Sequence, residues 1–158
     1  MLRRQLLALL GALGLSNNSQ SATGAPPAIT PLRLSEAEWK KRLTPAQFDV
    51  LRKEGTERSK SSPLNAETRS GTYHCAGCDL PLFESSSKFE SGTGWPSFFG
   101  TLPGALVTKT DFKMVLPRTE YHCARCEGHQ GHVFNDGPKP SGKRYCNNGV
   151  ALEFKGAA

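Results

Sequence analysis

The sequence lacks any apolar run of the roughly 18–20 residues that a membrane-spanning helix needs, so we expect a soluble mature protein that is not inserted in a membrane. Hydrophobic residues are also few, at 37% of the 158 residues, against roughly 45–50% in average domains. Such a chain is predicted to form one domain with a modest core, which needs a stabiliser besides hydrophobic burial. The 16 glycines and 11 prolines favour a turn-rich architecture over a bundle of long helices.

Acidic residues are absent before Glu36. Arg3 and Arg4 provide a positive start, and Leu6–Leu15 is an uncharged stretch too short to cross a membrane. Adjacent arginines followed by leucines are typical of a twin-arginine (Tat-like) signal peptide, which predicts export to a bacterial periplasm. An organellar transit peptide, for a mitochondrion or a plastid, fits the same lack of acid, and an ordinary buried N-terminal helix is the third interpretation.

The domain boundary is predicted where this leader ends. Residues 1–33 are interpreted as a targeting segment and linker, and residues 34–158 as the folded domain. Ser35 and Thr44 each have the pattern of a helix N-cap, so the domain is predicted to begin with two short helices.

Beyond Gly71, short β-prone pieces alternate with turn residues. This spacing predicts a mainly β domain, with antiparallel, twisted sheets in a barrel-like arrangement. The predicted strands are Thr72–His74, Leu80–Phe83, Leu106–Thr110, Lys113–Leu116, Glu120–Cys123, His132–Asn135, Lys143–Cys146 and Ala151–Phe154.

Four of the five cysteines form two C-x-x-C pairs, and the fifth stands alone. Two such pairs can hold one Zn²⁺ in a closed, structural, tetrahedral site, which would supply the missing stabiliser. The predicted zinc ligands are Cys75, Cys78, Cys123 and Cys126. Two disulfides and a redox-active C-x-x-C remain as alternatives, although a C-x-x-C bridge is strained and the redox motif favours a βαβ context.

The lone cysteine is Cys146, two residues after Arg144. Residues two apart on a strand share a face, and a nearby cation favours the reactive thiolate over the thiol. Cys146 is therefore a candidate nucleophile, with a small buried hydrophobic residue as the alternative.

Two further segments carry candidate groups. His129 and His132 lie in a glycine-containing stretch and could donate or accept protons, although metal ligands or ordinary loop histidines are alternatives. Trp95 lies between Gly94 and Pro96, where a rigid turn could present it as a wall for an apolar group. A core tryptophan would have the same local sequence.

Four motifs in this order resemble the B-type methionine sulfoxide reductases, which are specific for the R epimer. They are Ser91-Gly-Thr-Gly-Trp-Pro-Ser-Phe98, the two C-x-x-C pairs, Gly128-His-x-Gly-His-Val-Phe-Asn-Asp-Gly137 and Arg144-Tyr-Cys-x-Asn148. The resemblance extends from about Leu34 to Phe154.

The resemblance implies a thiol-dependent reduction that repairs oxidised proteins. The Cys146 thiolate would attack the sulfur of methionine-R-sulfoxide, protein-bound and also free, and would become a sulfenic acid. His129, His132 and Asn148 would orient substrate and deliver protons, and Trp95 would hold the S-methyl group. Arg144 would lower the thiol pKa, and the four zinc cysteines would be structural.

One position departs from the pattern of many such reductases. Thr93 stands where they carry a resolving cysteine, and every other cysteine is assigned to the metal. We therefore expect a thioredoxin-like protein or a small external thiol to reduce the Cys146 sulfenic acid directly.

The alternative class is a zinc-knuckle module that binds nucleic acid, for which a net charge of +6 would help. Such a module is expected to show a basic stripe interleaved with aromatic residues. The basic residues are scattered along this chain, so no nucleic-acid partner is expected. A zinc fold that has lost its activity is a third interpretation, disfavoured by the presence of Cys146 and both histidines.

Overall fold

The computed structural model describes residues 28–114 and 116–158. Most of the predicted targeting segment therefore lies outside the described residues. Within them, no helix is long and apolar enough to cross a membrane.

Two short helices open the described chain, as predicted: α1 (Glu36–Arg42) and α2 (Pro45–Lys53). Ser35 and Thr44 each cap a helix within a complete capping box, in which the third helical residue bonds back to the cap. The second helix ends at Glu54, which adopts a left-handed conformation.

The described residues after the two helices form nine strands and three short 3-10 helices. The strands are β1 (Gly71–Cys75), β2 (Pro81–Glu84), β3 (Lys88–Phe89), β4 (Ser97–Phe98), β5 (Leu106–Asp111), β6 (Arg118–Cys123), β7 (His129–Phe134), β8 (Arg144–Asn147) and β9 (Leu152–Gly156). They form a three-stranded sheet in the order β2-β1-β9 and a six-stranded sheet in the order β3-β4-β8-β7-β6-β5. Every pair is antiparallel, which confirms the predicted mainly β class. The sheets remain open and do not close into a barrel.

The strand predictions fail in two places. The predicted strand Lys113–Leu116 is wrong at its described residues Lys113, Met114 and Leu116, which lie in bends because β5 and β6 pair only as far as Asp111 and Arg118. The apolar side chains of Phe112 and Leu116 are consequently exposed. The two-residue strands β3 and β4 were not anticipated, because two residues carry no detectable alternation.

Aromatic side chains join the two sheets into one core. Phe83 of the small sheet stacks on Phe98 of the large sheet, with ring centroids 4.2 Å apart. Tyr73 packs edge-on against the same Phe98 ring at 4.9 Å. All three residues are fully buried, and such pairs add about 0.5–1.5 kcal/mol each beyond the burial of area.

Candidate active site and metal centre

Cys146 lies in the middle of the large sheet, on β8. Its neighbours across the ladder are Ser97 on β4 and His132 on β7. Residues directly opposite each other in antiparallel strands place their side chains on the same face. The fold therefore brings together the predicted nucleophile and one predicted histidine, which lie far apart in sequence.

The two central strands approach closely at Gly131. A Cβ atom there would lie only 1.9 Å from the carbonyl oxygen of Cys146, so a side chain would force β7 away from β8. The glycine that separates the two predicted histidines therefore serves strand packing beside the nucleophile.

A cavity of about 150 Å³ opens over Cys146. Its lining residues are Thr56, Trp95, Arg118, Gly131, His132, Phe134, Cys146, Asn147 and Asn148. Four predicted site residues thus meet at one cavity: Trp95, His132, Cys146 and Asn148. A larger cavity of about 520 Å³ lies beside α2 and contains neither Cys146 nor a histidine.

Trp95 is held in an irregular segment, as its sequence predicted. Gly94 before it has a φ of 86°, and a Cβ atom at Gly94 would lie 2.2 Å from the Ser59 hydroxyl oxygen. The indole Nε1 donates a hydrogen bond to the Glu57 carbonyl at 3.2 Å. The ring is thereby anchored at its polar atom while it lines the cavity.

Asn148 is engaged by the backbone. Its Oδ1 accepts a hydrogen bond from the Glu57 amide at 3.0 Å, and its Nδ2 donates to the Gln130 carbonyl at 3.0 Å. This side chain ties β7 to the segment before the first sheet, so it shapes the cavity wall and has few groups left for a ligand.

His132 is oriented by a buried carboxylate. Its Nε2 lies 2.9 Å from Asp111 Oδ2, and Arg118 donates to the same oxygen at 2.6 Å. Hydrogen bonds from the Lys113 amide, His132 and Arg118 lower the pKa of Asp111, so the carboxylate is charged at neutral pH. Such a pair fixes the imidazole ring for proton transfer.

His129 does not line the cavity, contrary to its predicted role in substrate binding. Its side chain is 1% exposed, and its ring centroid is 5.5 Å from that of His132, behind it. Burial, with the nearby charges of His122 and His132, lowers the pKa of His129 to about 4. The ring is therefore neutral at pH 7. Its burial arises from strand pairing, which local sequence does not reveal.

The Arg144 side chain is bound to other residues, which reduces its effect on the pKa of Cys146. Its guanidinium forms two hydrogen bonds to Asp136, both 2.8 Å long, and stacks 4.4 Å from the centroid of Phe134. Burial raises the pKa of Cys146, and the Arg144 charge opposes that rise only in part. Burial outweighs the Arg144 charge, so the pKa of Cys146 lies above its usual value and the side chain is a thiol at neutral pH.

Thr93 also acts on Cys146. A side-chain hydrogen bond between them lowers the thiol pKa. Ser91 bonds to the Thr93 hydroxyl at 2.8 Å and to the Ser97 hydroxyl at 2.7 Å, so a chain of hydroxyl groups leads to the sulfur. From the sequence, Thr93 is only a position without a cysteine, and a contact with Cys146, which is distant along the chain, carries no local signal.

The four paired cysteines form one buried cluster, as predicted, with their donor atoms grouped closely enough to hold a metal ion. The Sγ atoms of Cys75 and Cys126 are 3.6 Å apart, and those of Cys78 and Cys123 are 3.4 Å apart. All four cysteines are free, so the structure contains none of the disulfides considered as the alternative. The two sulfur–sulfur separations approach the edge of about 3.8 Å expected for a tetrahedron with metal–sulfur distances of about 2.3 Å.

The two cysteine loops have the same geometry. In each, the residue after the second cysteine donates its amide to the carbonyl of the first, at 2.8 Å for Asp79 and 2.9 Å for Glu127. Both residues are left-handed, with φ of 64° and 58°. This turn directs the thiols of each pair inward, so the donor set fits a closed metal site.

A buried polar network connects this cluster to the strand of the nucleophile. Gln130 donates to Cys75 Sγ at 3.3 Å and accepts from Asn147 at 3.3 Å. Asn147, next to Cys146, accepts in turn from the Tyr121 hydroxyl at 2.8 Å. Gln130 and Asn147 are fully buried, so a displacement of the cysteine cluster would also displace the strand that carries Cys146.

Together the fold and site define a β-sheet protein with a buried four-cysteine cluster, which could hold a metal ion, and with one separate, cavity-facing thiol. The SelR domain model matches residues 43–156. The chain is 51% identical to "Peptide methionine sulfoxide reductase MsrB" of Pseudomonas putida (strain W619), over 75% of this chain and 90% of that protein. The corresponding protein of Methanosarcina barkeri is 53% identical, over 77% and 86%.

A plant protein is similarly related. "Peptide methionine sulfoxide reductase B1, chloroplastic" of Arabidopsis thaliana is 51% identical over 77% of this chain, which spans only 60% of that longer relative. The chain therefore belongs to the SelR-domain family of MsrB-type peptide methionine sulfoxide reductases.

Removal of one metal ligand should destabilise the whole domain. Structural zinc contributes roughly 10 kcal/mol or more to folding, so Cys78→Ala should lose the metal and melt more than about 15 °C lower. Metal content per chain and thermal unfolding measure the effect. Cys146→Ala is the matched control and should keep the metal content and the melting temperature of the parent protein. A Cys78→Ala protein that melts close to the parent temperature would contradict a structural metal.

The charge of Arg144 should be measurable at the thiol. Arg144→Gln removes the cation that opposes desolvation, so the pKa of Cys146 should rise further and alkylation at pH 7 should slow. The rate of iodoacetamide alkylation against pH reports this shift. Lys143→Gln, at an exposed position that bonds Asn135, should leave the profile in place. If the pH profile of alkylation is the same for Arg144→Gln and the parent protein, Arg144 does not lower the pKa of Cys146, which would contradict the prediction.

Proposed function

We propose that the protein reduces the R epimer of methionine sulfoxide in proteins and peptides, and free methionine sulfoxide as well, with Cys146 as nucleophile. This activity repairs oxidised polypeptides. The observation that carries the proposal is the Cys146 thiol in a cavity with Trp95 and His132, within a chain about half identical to named peptide methionine sulfoxide reductases.

In the first step Cys146 Sγ attacks the sulfoxide sulfur. The substrate's sulfur–oxygen bond then breaks as the oxygen is transferred to Sγ, and the transient bond between the two sulfurs breaks as methionine leaves. Cys146 supplies the two electrons that reduce the sulfoxide and is itself oxidised to a sulfenic acid. The oxygen must be protonated as this happens. His132, held by Asp111, is the group we assign to proton delivery, and the proton that Cys146 carries before reaction can also be used.

The cavity walls favour a small, partly apolar side chain. Trp95 and Phe134 supply aromatic surface, and Arg118 is the polar group between them and Asp111. We assign the S-methyl group to the Trp95 side. The volume of about 150 Å³ suits one side chain and leaves the rest of a peptide outside. His129 supports His132 from behind, and Asn148 positions the wall.

The sulfenic acid must then be reduced by a thiol from outside. An external thiolate attacks the oxidised Cys146 sulfur, water leaves, and a mixed disulfide forms, which a second external thiol resolves. The nearest candidate position for an internal thiol is Thr93, whose hydroxyl bonds Cys146. The other four cysteines are buried at the metal centre. We therefore assign recycling to a thioredoxin-like protein or a small thiol.

The ion that we assign to the four-cysteine centre is Zn²⁺, one per chain. Four thiolates in a closed tetrahedral set suit zinc, and the hydrogen bond from Gln130 to Cys75 Sγ suits a charged sulfur. A saturated ion of this kind supplies folding energy and takes no part in the reduction.

The compartment that we propose is inferred from the sequence of the N-terminal segment. The twin-arginine pattern supports export to a periplasm, with an organelle as the alternative. Two related plant proteins are named chloroplastic, which gives the organelle alternative a precedent.

The activity is tested with separated R and S epimers of a peptide methionine sulfoxide and dithiothreitol as reductant. We expect turnover of R alone, and Cys146→Ser should lower kcat/KM by more than about 1,000-fold because it removes the nucleophile. Lys143→Gln is the control and should retain activity. Folded, metal-containing protein without turnover of either epimer would overturn the proposal.

Recycling is tested by peptide mapping after one round of oxidation by substrate. The parent protein should yield Cys146 as sulfenic acid, or trapped by an added thiol, with no internal disulfide. Thr93→Cys is the positive control: it places a thiol beside Cys146 and should form an internal disulfide. A disulfide between Cys146 and any native cysteine would contradict direct reduction.

A further inference from the structure

A second cluster of metal-ligating side chains lies on β6 and β7, separate from the four cysteines. Glu120 and His122 are two residues apart on β6 and share a face, and His129 lies opposite His122 on β7. The three residues are 4%, 7% and 1% exposed. The reaction proposed above uses none of them directly.

The donor atoms of this Glu120–His122–His129 cluster have the spacing of a coordination site. Glu120 Oε2 is 3.3 Å from His122 Nε2 and 3.0 Å from His129 Nδ1. Each residue offers one such atom, and all lie within 4.8 Å of one another. Ligands about 2.1 Å from a tetrahedral ion would be about 3.4 Å apart.

The two ring nitrogens of His122 face different groups. Nδ1 lies 3.0 Å from the Glu127 carbonyl oxygen, which can only accept, so Nδ1 carries a hydrogen. Nε2, on the other edge of the ring, faces Oε2 of the Glu120 carboxylate at 3.3 Å. A metal-ligating histidine commonly donates its second N–H to a backbone carbonyl in this way.

The buried nitrogens of the cluster lack ordinary partners. Within the described residues, no hydrogen bond is made by His122 Nε2 or by either ring nitrogen of His129. Buried polar atoms are normally satisfied, and one cation between these nitrogens and the Glu120 carboxylate would give all of them a partner. Lys109 does not fill that place, because it pairs with the other oxygen, Oε1, at 3.1 Å.

We propose that Glu120, His122 and His129 bind one divalent first-row transition metal ion, such as Zn²⁺, as a site distinct from the four-cysteine centre. Imidazole and carboxylate ligands suit such ions, and three protein ligands leave a position for water. A cavity of about 310 Å³ borders His122 and gives a route of entry. The ion would lie beside His129, whose ring contacts that of His132.

The chain contains a natural control in the other cysteine loop. His74 precedes Cys75 as His122 precedes Cys123, and its Nδ1 bonds a carbonyl five residues on, that of Asp79, at 3.0 Å. His74 is not part of either metal-ligating cluster found among the described residues. It therefore shares the local geometry of His122 without the additional ligands.

The experiment adds Co²⁺ to untagged, full-length protein whose four-cysteine centre already holds one metal. We expect one further equivalent to bind, with ligand-field absorption and without thiolate-to-metal charge transfer. His122→Gln should weaken this binding by more than about 100-fold, and His74→Gln should leave it unchanged. Retention of the first metal and of the unfolding temperature shows that each variant is folded.

A second measurement needs no variant. Paramagnetic Co²⁺ should broaden the ring signals of His122 and His129 in the NMR spectrum before those of His74. Uptake of no further equivalent, binding that His122→Gln leaves intact, or charge transfer showing that Co²⁺ has entered the cysteine centre would each overturn the proposal. Retained ring signals throughout the titration would mean that the cluster holds only a proton, which overturns it too.

Discussion

The four buried cysteines are the constraint on which the rest of this structure depends. Cys75 ends a strand of the small sheet and Cys123 ends a strand of the large one, so the cluster fastens two sheets that otherwise meet through a modest aromatic core. From Cys75 the hydrogen bonds continue through Gln130 to Asn147, beside the nucleophile. A metal centre remote from the cavity therefore holds the reactive strand in register.

Opposing influences act on the pKa of the Cys146 thiol. Cys146 is partly buried between β4 and β7, and that burial raises its pKa. Arg144 and Thr93 act in the opposite direction, but the Arg144 charge is shared with Asp136. A largely protonated thiol is protected from unselective oxidation in the absence of substrate. In the proposed reaction, the same thiol would bring a proton for the sulfoxide oxygen.

Much of the fold and part of the site could be predicted because the signals were local. The helix caps at Ser35 and Thr44 require only residues within one turn, and both boxes are present. The C-x-x-C spacing likewise predicts a metal site because two residues between thiols set the turn. The predicted strand Lys113–Leu116 also has β-prone residues, yet Lys113, Met114 and Leu116 lie outside any strand because the ladder of β5 and β6 ends at Asp111 and Arg118.

The sequence by itself determined the two C-x-x-C pairs, the lone cysteine and the order of the motifs, because those depend on residue identity and short spacing. Only the tertiary structure decided which groups meet. Strand pairing put His132 against Cys146 and turned His129 inward to Glu120. It also recruited Arg118, Thr56 and Phe134, from other segments, to the cavity. These outcomes depend on register between strands distant in sequence, and one residue of slip would reverse every face.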